Sequence, residues 1–381
     1  SVEEALEIDR TTNTDLWRKA INKEMSRVKV AWKTLDTSTP QEARDGKVPE
    51  LTGFQEIGCH IVFDIKMDFT RKARFVAGGH TTEAPSSLTY SSVVSRDSIR
   101  IAFLIAALND LDIMSCDLEN AYLNAPCREK IWFEGGLECG EDKGKVCIIV
   151  RSLYGLKSSG AAFRAALAQV LQDLGYKSSK ADPDVWMREA VKTNGHKYYE
   201  MLFVYVDDIL ALSHQATMSI QEITTFFKAK DGSIKPPEIY LGADIVKMQL
   251  PDGREVWSTS PRTYVKNSIL VVERLLEEDG DGYVLKTNAR NPFPTGYKQY
   301  QANPRFGHLE AAYHIFAYLK KHQDMGRLAF DSNPPNIDES FFYTNADWTD
   351  FYGDVTEELP PNMPEPRGHP VTISAFVDAN H

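Results

Sequence analysis

Met201-Leu202-Phe203-Val204-Tyr205-Val206-Asp207-Asp208-Ile209-Leu210-Ala211-Leu212 sets two adjacent acids between apolar runs, each long enough for one buried strand and too short for a helix pair. The pattern predicts a hairpin with carboxylates at its bend. Neighbouring ionised acids at the end of a dry sheet repel and raise each other's pKa unless a cation neutralises them. A hard divalent cation is the usual remedy. Just upstream, Asp182-Pro183 turns the chain into Val185-Trp186-Met187, and Asn194-Gly195 is a two-residue hairpin signal. The acids therefore belong to an antiparallel meander.

A third carboxylate comes from a distant stretch. Ile113-Met114-Ser115-Cys116-Asp117 reads as a strand ending before the turn Asn124-Ala125-Pro126. A helix capped by Ser95 or Asp97 and carrying Ile101, Leu104, Ile105 and Leu108 precedes it and is apolar enough to lie under a sheet. Arg151-Ser152-Leu153-Tyr154-Gly155-Leu156-Lys157-Ser158-Ser159-Gly160 is a Gly/Ser loop opening a helix over 161–174, which puts Lys157 and backbone N–H groups where phosphates are able to sit.

Nearer the amino end, Thr14-Asp15 followed by Trp17, Ile21, Met25 and Val28 predicts a capped helix over 15–32. Residues 36–53, rich in Thr, Pro, Gly and charge, read as a loop. Two strands, over 57–68 and 72–78, gather Lys66, Arg71, Lys72 and Arg74, a cluster suited to gripping a triphosphate or simply to a solvated basic hairpin. Beyond the acids, helices are expected over 216–229, 261–277 and 308–320, and Pro251-Asp252-Gly253 marks a further hairpin. Asp279-Gly280-Asp281-Gly282 lacks the remaining ligands of a calcium loop and reads as a helix stop.

Composition bounds the rest. The 381 residues are 42% hydrophobic, enough for a sizeable core in one to three domains. No apolar run approaches membrane-spanning length. The start at Ser1 suggests a fragment or processed product. Five cysteines without a C-x-x-C pair fit a reducing compartment better than a disulfide framework or zinc site. A net charge of −11 opposes binding to nucleic acid, but residues 338–381 hold nine acids against Arg367 alone, so most of the excess belongs to a Pro-rich tail.

Asp117, Asp207 and Asp208 are the right number and kind of ligand to hold two magnesium ions. Such a pair serves in-line displacement at phosphorus, the chemistry of nucleotidyl transfer.

Tyr205-Val206-Asp207-Asp208, Asp117-Leu118-Glu119-Asn120-Ala121-Tyr122-Leu123, Leu153-Tyr154-Gly155-Leu156-Lys157, Lys72-Ala73-Arg74-Phe75-Val76-Ala77 and Tyr240-Leu241-Gly242 occur in an order that resembles the reverse transcriptase of copia-type LTR retrotransposon polyproteins. The resemblance covers about residues 15–300. It implies an α+β right-hand polymerase fold with an antiparallel palm sheet: fingers and palm over 1–260, a partial thumb or connection over 261–330, and an acidic Pro-rich segment over 331–381. It implies RNA- or DNA-templated DNA synthesis with two Mg2+ ions, or Mn2+, on Asp117, Asp207 and Asp208. Lys72, Arg74 and Lys157 would bind the nucleotide, Tyr122 would exclude a 2′-hydroxyl, and Tyr240, Leu241 and Gly242 would form the primer grip.

The implied partners are an RNA template, a DNA or RNA primer, deoxynucleoside triphosphates, and integrase and ribonuclease H domains outside this chain, with no membrane. The implied setting is a cytoplasmic virus-like particle, nuclear access left open. Phe376-Val377-Asp378-Ala379-Asn380 resembles a ribonuclease H opening that stops too early for nuclease activity. Two departures stand out: Ser158 replaces the family's usual glutamine, and a helical stretch is missing after Tyr300. They keep open an inactive relic with the same fold; a metal-dependent phosphohydrolase is a further alternative.

Overall fold

The computed structural model describes residues 1–65, 69–83, 85, 89–279, 282, 284–286, 289–292, 306–323, 326–333, 349–353 and 363–370. Lys66, the residues around the gap after Tyr300, most of the acidic segment and the stretch 376–380 lie outside them. The fold is mixed α/β with largely antiparallel sheets. Among the described residues no helix is long and apolar enough to cross a membrane.

Its centre is a five-stranded antiparallel sheet in the order Asp112–Asp117, Asp208–Ser213, Lys197–Tyr205, Val185–Val191, Lys177–Ser178. The last four form the expected meander. Both faces are covered, which is why the two apolar runs show no polar alternation. Leu202, Val204, Ile209 and Ala211 point to the helices Ser159–Asp173 and Ala216–Thr224, meeting Phe163, Leu167, Leu171, Ile220 and Ile223. Phe203, Leu210 and Leu212 point the other way, toward Phe103 and Ala106 of the helix Arg96–Asn109 and toward Tyr240 and Ile245. Ser95 caps that helix, its hydroxyl accepting from the Ser98 amide.

A two-stranded ribbon, Cys59–Ile65 with Arg71–Ala77, packs on the helix Leu16–Val28. Alternation along the second strand sends Ala73, Phe75 and Ala77 into the core and leaves Lys72 and Arg74 facing outward. Phe75 is fully buried between Trp32 and Phe133, with ring centroids 5.6 and 5.7 Å away. A third sheet, Ile239–Tyr240, Ala243–Gln249, Glu255–Ser260, Leu328–Ala329, lies beside the helix Arg96–Asn109, and the helices Arg262–Asp279 and Phe306–Lys321 pack together.

Several boundaries differ from the sequence expectation. The helix expected over 15–32 ends at Val28, and a strand begins at Trp32 and pairs with Val146–Ile149. Its amino end is capped by Asp9, whose carboxylate accepts from the amides of Trp17 and Arg18, because Asp15 makes no side-chain cap. Asp9 is supplied by an unanticipated helix, Val2–Thr11. Residues 36–53 are not all loop: Thr39 and Glu42 form a capping box on the helix Pro40–Arg44. The helix expected over 216–229 stops at Thr224, since 228–235 runs along the edge of the strand Asp112–Asp117, with Lys235 bridged to Ser115 and Ala229 to Leu118.

Because Phe75 anchors the strand that carries Lys72 and Arg74, Phe75→Ala is expected to cost about 3–5 kcal/mol of folding stability. Chemical denaturation of the wild type and the variant measures it.

Candidate active site

Cross-strand pairing brings the three acids together. Asp117 is the last residue of its strand, Asp208 the first of the next, and the two are direct partners in the ladder. Tyr205 pairs with Asp208 across the hairpin, leaving Val206 and Asp207 as a two-residue loop. Val206 sits at φ +58°, a left-handed conformation that β-branched residues rarely adopt. Pairing on both sides of the loop holds it there, and the Leu118 amide fixes the bend further by donating to the Asp207 carbonyl at 2.8 Å. From beneath, the Tyr240 hydroxyl lies within 3.5 Å of the carbonyls of Phe203 and Asp208.

The carboxylates crowd one another. Burial raises the pKa of Asp208 to about 6, helped by the negative charges of Asp207 and Asp117 and opposed by Lys230. The residue as a whole is exposed, but its carboxyl end sits among protein atoms. Burial likewise raises Asp207, with Asp117 adding to it and its own backbone amide, Lys230 and Lys72 opposing. Lys230 reaches the cluster from the edge segment: its Nζ lies 2.6 Å from Asp117 Oδ2, and its amide donates to the Asp117 carbonyl at 2.9 Å. Two residues beyond the strand, Glu119 pairs with Arg27 at 2.9 Å and Lys228 at 2.7 Å.

Facing the acids across a cleft of about 300 Å³ is the basic ribbon. Lys23, Arg27, Arg71, Lys72, Arg74 and Lys230 line it together with Asp117, Glu119, Asn120 and Asp207. Glu24 stands among the cations; its Oε1 accepts from the Phe75 amide at 2.9 Å. Burial raises the Glu24 pKa, and the Phe75 bond and the charges of Arg27, Lys72 and Arg74 offset part of that.

Tyr154 closes the cleft. Its carbonyl accepts from the Ala77 amide at 2.8 Å, so the loop 153–157 docks onto the end of the ribbon. Gly155 makes this possible: at φ +91° it has no side chain, and a Cβ there would fall 2.1 Å from the Ala77 carbonyl oxygen. Burial, chiefly, pushes the Tyr154 phenol up to about 12. Tyr122 packs edge-on against Tyr154, ring centroids 4.9 Å apart, with Phe163 behind it at 6.4 Å.

The structure thus gathers Asp117, Asp207, Lys72 and Arg74 around one cleft, with Asp208 beside Asp117 and Tyr122 behind Tyr154. Other expected site residues lie elsewhere. Lys157 donates to the Thr82 carbonyl at 2.5 Å, and the amide and hydroxyl of Ser158 both donate to Glu129 Oε1, so the start of the helix Ser159–Asp173 is already engaged. Leu241 and Gly242 form a left-handed turn, φ +48° and +80°, beside a second cleft lined by Arg96, Arg100, Phe103 and Tyr264. Only Tyr240 of that trio reaches under the acids.

Lys230, Glu119, Asn120 and Tyr154 were not singled out by sequence for a role in the site. The alternation Lys228-Ala229-Lys230 was the available signal for an extended edge segment that puts both lysines on one side.

All-oxygen donors suit a hard divalent cation. Among the described residues, however, no three His, Cys, Asp or Glu side chains are already arranged as a metal cage, and Asp117 is turned to Lys230 instead.

Comparison with known proteins bears on the family. Residues 47–250, more than half of the chain, match the family model described as reverse transcriptase (RNA-dependent DNA polymerase). The retrovirus-related Pol polyprotein from transposon TNT 1-94 of Nicotiana tabacum is 26% identical over 68% of this chain and 18% of its own length. The corresponding polyprotein from transposon RE2 of Arabidopsis thaliana is 22% identical over 91% of this chain and 25% of its own. The transposon Ty1-LR2 Gag-Pol polyprotein of Saccharomyces cerevisiae is 28% identical over 59% and 12%. The chain therefore spans a quarter or less of these three relatives. With the matched region enclosing Asp117, Asp207, Asp208 and the basic ribbon, the chain belongs to the reverse transcriptase family.

Proposed function

We propose that this chain is the polymerase part of a retrotransposon Pol polyprotein and joins deoxynucleotides to a primer on an RNA or DNA template. In this reading the five-stranded sheet is the palm, the ribbon with the helix Leu16–Val28 belongs to the fingers, and the helices Arg262–Asp279 and Phe306–Lys321 belong to a shortened thumb. The observation that carries it is the ladder pairing of Asp117 with Asp208, which places acids from two remote stretches across a cleft from Lys72 and Arg74.

Asp117, Asp207 and Asp208 would hold two divalent cations, magnesium or manganese. Bound there, such ions activate the attacking hydroxyl and neutralise charge on the leaving oxygen. The chain's own residues supply position and charge. Lys72 and Arg74 face outward from one strand, and Arg offers a forked donor to phosphate oxygens. Glu24 tempers this positive wall and holds the strand by the Phe75 amide. Tyr122 backs Tyr154 beneath the position of the sugar, so the pair limits the room for a 2′-hydroxyl. Tyr240 supports the bend from below, which ties the primer-side turn to the acids. RNA template, primer and companion polyprotein domains such as integrase and ribonuclease H belong to this same proposal, as does a virus-like particle setting.

Primer extension on poly(A)/oligo(dT) with magnesium or manganese tests the reading directly. The wild type is expected to incorporate deoxythymidylate and an Asp207→Asn, Asp208→Asn double variant to lose at least about a hundredfold, the order of one misplaced charge-stabilising group; no incorporation by either protein defeats it. Tyr122→Ala is expected to raise ribonucleotide incorporation relative to deoxynucleotide, and an unchanged ratio removes the gate. Without divalent ions, a raised folded-state pKa means that Asp208 favours the fold at low pH and loses that contribution as pH rises through about 6. Asp208→Asn should therefore gain stability relative to the wild type between about pH 4 and 7, as followed by thermal melts in chelator.

A further inference from the structure

Lys230 has its ammonium on the acid cluster and sits on an edge segment just past the helix expected over 216–229, which stops at Thr224. Two features give it a particular job. Its backbone is fixed: the Lys230 amide donates to the Asp117 carbonyl at 2.9 Å, and the Ser233 hydroxyl donates to the same carbonyl at 3.2 Å. Its side chain is not buried: it is 61% exposed, and it puts Nζ 2.6 Å from Asp117 Oδ2. A fixed root with a solvated stem lets the ammonium leave the carboxylate without unpairing the sheet. The oxygen it occupies is one that a cation bound between Asp117 and the 207–208 bend would need.

We propose that Lys230 is the resident counter-ion of this cluster and competes with divalent cations for Asp117, so that metal uptake begins with displacement of the ammonium. The inference rests on the reading of Asp117, Asp207 and Asp208 as cation ligands. It accounts for the observation that Asp117 turns its carboxylate to a lysine although its ladder partner is Asp208. The displaced ammonium stays at the cleft that Asp207, Lys72 and Arg74 also line. There it adds to the positive charge that meets an incoming polyphosphate, so cation and nucleotide each favour the other's binding, as linkage requires. Lys228 pairs with a different acid, Glu119, at 2.7 Å.

The test is equilibrium binding of Mn2+ alone to the full chain, followed by electron paramagnetic resonance of the free ion at fixed pH and ionic strength. Lys230→Met is expected to bind Mn2+ roughly two- to fivefold more tightly than the wild type, the scale set by removing one partly exposed ion pair. Lys230→Arg, which keeps the positive charge, is expected to match the wild type, and Asp117→Asn to bind more weakly. Lys230→Gln provides a second neutral variant should the methionine side chain disturb folding. Equal or weaker binding by both neutral variants, with Asp117→Asn still weakened, overturns the competition and leaves the acid cluster as the metal site. Binding that is indifferent to both Asp117→Asn and Asp208→Asn overturns the metal reading and the competition with it.

Discussion

The repulsion among three carboxylates is the constraint around which the fold is arranged. Ladder pairing makes Asp117 and Asp208 direct neighbours, and adjacency adds Asp207. Nothing in a hairpin requires this; a serine or glycine at any of the positions would close the same turn with less electrostatic cost. Burial, first, and then the neighbouring carboxylates raise the pKa of Asp207 and Asp208, and the two-residue loop holds Val206 in a left-handed conformation. The cost is met by a well-anchored sheet. Leu202, Leu210, Ala211 and Leu212 are fully buried, and burial of such side chains contributes about 1.5–3 kcal/mol for each large one. A strained, charged bend persists because both of its strands are covered on both faces.

The opposing charge is delivered by independent elements, which explains how a chain of net charge −11 maintains a polyanion-compatible cleft. The ribbon contributes Lys72 and Arg74, the helix Leu16–Val28 contributes Lys23 and Arg27, and the edge segment contributes Lys228 and Lys230. These charges meet the acids at short range. At such distances local geometry outweighs the net charge of remote segments, which salt screens beyond about 8–10 Å. The arrangement also links the elements mechanically: Arg27 from the helix and Lys228 from the edge segment share Glu119, two residues beyond Asp117.

The acids, the meander and the ribbon were legible in the sequence because their signals are local and agree with one another. Apolar runs of strand length, Asn194-Gly195 and the alternation around Lys72 and Arg74 all point the same way. The edge segment was not legible, because Phe226 and Phe227 continue the apolar spacing of a helix while pairing with a strand more than a hundred residues away claims the backbone that follows. The cap on the helix Leu16–Val28 was hidden for a similar reason: Asp15 stands at the expected position, but Asp9 arrives from another helix. Two misses did have a visible cue. Ser1 with Glu4, and Thr39 with Glu42, are capping-box pairs that the polar composition around them obscured.

Gly155 shows how a loop motif without chemistry of its own decides the site. The close approach of its backbone to Ala77 lets the loop 153–157 pair with the ribbon, and this pairing turns the Tyr154 ring into the cleft wall with Tyr122 edge-on behind it. Any side chain at 155 would push the ribbon outward, carrying Lys72 and Arg74 away from the acids. The distance between the basic and acidic walls is therefore set by a glycine contact rather than by attraction between the charges themselves. Coulomb forces fall off gradually and fix no spacing, whereas backbone contact fixes it to a fraction of an ångström. That is the tolerance that positioning a phosphate between two walls requires.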